Sequence, residues 1–150
     1  MDELYEAYFT LLEKLGEFLD RLTELAKTKN VAAQRGDVLT VNECAKEEQS
    51  IGLTMRQLDQ RREKLSFALG LQDAPLSDMP RRCPPNQRQA ARAAADALLA
   101  KSKVYRSASE AARVALESSL HNVERLIEAN APGGELNPRK RGGAFTDFRT

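Results

Sequence analysis

The side chains able to do chemistry are few and badly spaced for it. His121 is the only histidine, and Cys44 and Cys83 are the only cysteines, in 150 residues. A structural zinc site needs four such ligands at short spacings. Cys44 and Cys83 form no C-x-x-C pair and read as reduced thiols with no metal to hold. His121 stands in "SSLHNVERL", four residues after Glu117, the spacing of neighbours on one helix face, and reads as a surface imidazole rather than a general base. Glu47 and Glu48 are adjacent in sequence, so on a helix they diverge and cannot act together on one substrate. There is no GxGxxG, GxxxxGK[ST] or HExxH. The expectation is a protein without catalysis or cofactor. The tripeptide Arg35-Gly36-Asp37 resembles an adhesion signal, but Gly36 can end one helix in the left-handed conformation and Asp37 can cap the next. It reads as a turn.

The elements that position these residues are helical. Hydrophobic residues make up 41% of the chain and aromatics 5%, with no Trp, and strong helix formers dominate. An all-α fold is expected, as a long antiparallel hairpin plus a third long helix in a three-helix, coiled-coil-like bundle. The first helix, about 3–35, carries a heptad seam at Leu4, Tyr8, Leu11, Leu15, Phe18, Leu22 and Leu25. A second row at Tyr5, Phe9, Leu12, Leu19 and Ala26 widens it toward more than one neighbour. The second helix, about 38–69, has its stripe at Val41, Cys44, Ile51, Met55, Leu58, Leu65 and Leu69. Glu48 and Arg62 fall on that seam, where polar residues set register or reach the rim.

A Pro-rich connection at 71–85 follows, with Pro75, Pro80, Pro84 and Pro85, and its length allows a crossover that leaves the direction of the third helix open. The third helix, about 86–130, is alanine-rich at Gln89 to Ala100, where little burial is expected, and then carries a clean apolar row. That row is Ala112, Leu116, Leu120, Val123 and Ile127, with Leu126 beside it. It either completes the core or binds another chain. The whole of 1–130 reads as one helical domain. Residues 131–150 hold Arg139, Lys140, Arg141 and Arg149 with few apolar residues and read as a disordered basic tail.

Basic and acidic residues number 23 and 22, which excludes a strongly cationic nucleic-acid binder; "NPRKR" in a tail adds little affinity at physiological salt. No apolar run is long enough to span a membrane, and "MDELYEAYFT" is acidic where an export signal is basic. A cytoplasmic protein that neither enters membranes nor binds nucleic acid is expected.

With these elements in place, the chain resembles the FlgN-type flagellar export chaperones over Leu4 to Ala129. The resemblance rests on the leucine-rich first helix, the Gly36-Asp37 turn, "KEEQSI...LDQRREKL" from Lys46 to Leu65, "LGL" from Leu69 to Leu71, and a last helix ending in "SLHNVERLI". In place of an Asn-x-x-Asn element this chain has Ser109 and Ala112, and its ending is the basic "NPRKRGGAFTDFRT". The resemblance implies a helical chaperone that binds the carboxy-terminal segments of hook-filament junction proteins, prevents their premature assembly, and delivers them to the export gate. The client-binding candidates are Ala112, Leu116, Leu120, Val123, Leu126 and Ile127. Tyr105, between Lys103 and Arg106, is a candidate contact with the gate, a packed helix residue being its other reading. The alternative function is a structural coiled coil or adaptor in which the same row joins copies of the chain, as in a homodimer.

Overall fold

The computed structural model describes residues 1–130. Its elements are α1 (Asp2–Arg35), α2 (Val38–Ala68), a one-turn α3 (Met79–Arg82) and α4 (Arg88–Asn130), with no strand among the described residues. The disordered tail expected at 131–150 lies outside them.

The α1–α2 reversal follows directly from two residues. Gly36 sits at φ 72°, ψ 20°, a conformation costly for any residue with a Cβ. There its N–H bonds the Ala33 carbonyl at 3.2 Å while the Asp37 N–H bonds that of Ala32 at 2.9 Å, closing α1. The Asp37 carboxylate then accepts from the Thr40 N–H at 3.2 Å and its hydroxyl at 2.6 Å, capping α2. The Arg-Gly-Asp string is this turn.

α1 is the central helix. It packs on α2 along one side and on α4 along another, and no Cα of α2 comes within 8 Å of one in α4. This is why α1 needs both of its rows: Tyr8, Leu11, Leu15, Leu22 and Leu25 from one, and Tyr5, Leu12 and Leu19 from the other, are all buried. Between α1 and α2 the Lys29 ammonium donates to Glu48 at 2.7 Å, with the two side chains 17% and 5% exposed. Glu48 therefore does set register, since sliding α2 by one turn would leave a buried carboxylate alone. Arg62 reaches the rim, half-buried, and donates to Asp59 at 2.7 Å.

The long connection does not cross over. Gln87 donates to Asp2 at 3.1 Å, and Lys101 donates to Asp20 at 2.8 Å, so α4 starts beside the start of α1 and runs parallel to it in an up-down-up bundle. Nor is the segment structureless. Leu69, Leu71, Leu76, Met79 and Cys83 are buried in the core, Arg82 donates to the Gly70 carbonyl at 3.0 Å, and Arg88 donates to the Cys83 carbonyl at 3.0 Å. The prolines confine it to short turns and one turn of helix, and its apolar residues fold it over the end of the bundle as a lid on the core.

The alanine-rich half of α4 was expected to bury little, and the structure corrects this. Ala91, Ala95 and Leu98 are 0%, 1% and 3% exposed, against α1. Small side chains let the two helices approach closely: at Gly16 of α1 an added Cβ would lie 3.2 Å from the Lys101 side chain of α4. Most of the large residues for this contact come from α1, and α4 adds Leu98.

Candidate functional site

The face of α4 that packs on α1 is one stripe at alternating steps of four and three: Ala91, Ala95, Leu98, Ser102, Tyr105, Ser109 and Ala112. Ala112 is 1% exposed. The same stripe continues without a change of face to Leu116, Leu120, Val123 and Ile127. Its cover does not continue. In the register fixed by Asp2 with Gln87 and Gly16 with Lys101, Arg35 at the end of α1 lies level with about Leu120. Beyond that level about ten residues of α4, roughly 15 Å at 1.5 Å per residue, project past the α1–α2 turn.

Exposure follows this geometry. Leu116 and Leu120 are half-buried, whereas Val123, Leu126 and Ile127 are 49%, 64% and 47% exposed. Alanine and serine, with Leu98 and Tyr105, occupy the stripe where α1 covers it, Leu116 and Leu120 are partly covered, and Val123 and Ile127 lie where nothing described covers them. Among the described residues nothing covers Val123, Leu126 and Ile127.

Beside the stripe, the end of α1 and this part of α4 form a groove of about 710 Å³. Its walls carry amides and hydroxyls from Asn30, Gln34, Ser107, Ser118, Ser119 and Asn122, over a floor that includes Ala33, Ala111 and Val114. Sequence periodicity misses this groove, because Val114, Ala111 and Asn122 lie off the apolar row and only the parallel placement of α1 makes them neighbours. On the flank, Arg113 donates to Glu110 at 2.5 Å and to Glu117 at 2.6 Å, which lowers the Glu110 pKa through that hydrogen bond and keeps the guanidinium charged.

Of the residues singled out from sequence, the structure brings Leu116, Leu120, Val123 and Ile127 onto one open face, with Leu126 at its edge. Ala112 lies at the boundary, inside the α1 contact. Tyr105 is 6% exposed on the covered part of the stripe, so a contact through it with another protein requires α4 to part from α1. His121 is exposed, and the described residues contain no cluster of three histidine, cysteine or acidic side chains suited to a metal ion. Cys44 and Cys83 are buried free thiols, and burial raises the pKa of both, which makes them poor nucleophiles.

A helical bundle whose last helix carries its packing stripe beyond its own partner has the form of a small protein-binding chaperone. The chain belongs to the FlgN family, flagellar export chaperones: the family model described as FlgN protein matches residues 1–135. No curated protein and no solved structure matches it significantly. The family is one of chaperones rather than enzymes and implies flagellar client proteins. No described helix is long and apolar enough to cross a membrane.

Proposed function

We propose that this protein is a cytoplasmic chaperone for the carboxy-terminal segments of hook-filament junction proteins, holding them apart until delivery to the export gate. Family membership supports the class of function. The observation that carries the binding site is the continuation of the α4 stripe past the end of α1 into Leu116, Leu120, Val123 and Ile127. A client helix laid on this face completes the contact that α1 leaves unfinished, with Leu126 at its edge, Ala112 at its inner limit and the adjoining groove available for polar contacts.

Full burial of such a side chain is worth roughly 1.5–3 kcal/mol, and part of each is already covered, so roughly 1–2 kcal/mol apiece remains. Ordering a flexible client consumes much of the sum, which places binding near the micromolar range and suits a carrier that must release. The test is calorimetric titration of the chain, and of a version ending at Ser119, with client carboxy-terminal segments. Loss of affinity in the shortened chain with its helicity retained is the expected outcome; undiminished affinity defeats the proposal. Light scattering addresses the structural alternative: a concentration-independent oligomer that persists with client bound would favour a homo-oligomeric scaffold. The gate contact is proposed to involve Tyr105 only when α4 loosens from α1, so Tyr105→Phe is expected to leave client affinity unchanged.

A further inference from the structure

The last part of α4 is acidic along one edge of its stripe. Steps of seven and four residues place Glu117, Glu124 and Glu128 on the same side of the apolar row, while Arg125, two residues from both Val123 and Ile127, falls on the opposite side of the helix. Glu117 is held by Arg113 at 2.6 Å, and Glu124 and Glu128 have no ion-pair partner among the described residues. Residues 115–130 therefore carry a net charge of −2 beside the continuous row Leu116, Leu120, Val123 and Ile127. Twenty residues follow Asn130, and their chemistry complements this end. Against Glu135 and Asp147 they hold Arg139, Lys140, Arg141 and Arg149, a net charge of +2, with Phe145 and Phe148 beyond the basic triplet. Pro132-Gly133-Gly134 lets the chain reverse directly after the helix. Leu120 lies ten residues before Asn130, roughly 15 Å back along α4, and the 14 residues from Gly134 to Phe148 span up to roughly 46 Å when extended. The reach is ample.

We propose that residues 131–150 fold back on the open face of α4 when no client is bound, so that a client must displace them. The basic triplet then lies beside Glu124 and Glu128, and the two phenylalanines cover the apolar row. The proposal rests on reading this face as the client site. Tethering selects this occupant over a second copy of the chain. A segment joined to the face by a few residues meets it at an effective concentration on the order of millimolar, which a free copy does not reach. The row itself offers only a handful of side chains, well short of the ~800 Å² per partner that a stable dimer buries. A contact of this size holds the face covered about five times as often as open, and it lowers apparent client affinity by about the same factor. Such a cover keeps an apolar row from sticking to proteins other than its client.

The experiment uses the full chain with a nitroxide attached through Thr150→Cys; Cys44 and Cys83 are buried, so the label goes to the introduced thiol. Methyl resonances of Leu116, Leu120 and Val123 are expected to broaden while those of Leu39 and Leu53 on α2 stay sharp, and the broadening should fade as salt is raised. Replacing Arg139, Lys140 and Arg141 together by glutamine, or combining Phe145→Ser with Phe148→Ser, should remove the broadening. Either variant should also raise affinity for client carboxy-terminal segments about fivefold, with circular dichroism unchanged. Absence of broadening overturns the proposal, and so does broadening that passes from nitroxide-bearing chains to separate, isotope-labelled chains mixed with them, the mark of a second copy. Client binding that Leu120→Ser abolishes and neither tail variant alters leaves the client reading standing and overturns this one. Broadening with no client binding at all supports the tail contact and defeats the client reading instead.

Discussion

Asp37 and the Lys29–Glu48 pair show how single residues fix the hairpin. The Thr40 hydroxyl and N–H hold the Asp37 carboxyl below the usual aspartate range. A lowered folded pKa contributes stability that is present above the unfolded aspartate value and is lost as pH falls through the folded one. Asp37→Asn is therefore expected to lower the thermal midpoint at neutral pH by less than Asp37→Ala, and the gap between Asn and the parent should close at acid pH, followed by circular dichroism. For the buried pair, Lys29→Met strands a carboxylate that is 5% exposed. Urea unfolding should show a loss of about 2–4 kcal/mol, and the double change of Lys29 and Glu48 to apolar residues should recover most of it. A pair that is merely ornamental would show neither effect. The seam position of Glu48 was legible in the sequence; its partner was not, because Lys29 lies at the fading end of the α1 stripe and only packing brings it across.

At the level of the element, α4 is two helices in one. Its alanine half has high helix propensity and packs closely; its leucine half keeps the same stripe and is only partly covered by the described residues. Ala95→Leu is expected to overpack the α1 contact and cost about 1–3 kcal/mol in chemical denaturation. Leu120→Ala should cost under about 1 kcal/mol in stability yet weaken client binding roughly tenfold by calorimetry. The opposite ranking would mean that the leucine half, not the alanine half, belongs to the core. Side-chain size misleads here. Large apolar residues promise burial and alanines promise little, but a close helix–helix contact needs small residues on one of its two faces.

At the level of the molecule, two lengths decide the outcome: α1 has 34 residues and α4 has 43, and both start at the same end. The excess projects. A chain ending at Ser119 should therefore keep its cooperative thermal transition within a few degrees of the parent, since the described side chains it loses are half-buried or exposed. A collapse of that transition would show the projecting end to be structural. Helix class, the Gly36-Asp37 turn and both heptad rows of α1 were determined by the sequence alone, because propensity, capping and periodicity are local. The parallel course of α4, the folded lid at 69–87 and the place where the stripe loses its cover were decided only in the tertiary structure. Those depend on which end of α1 the chain returns to, and a repeating apolar pattern is the same read in either direction.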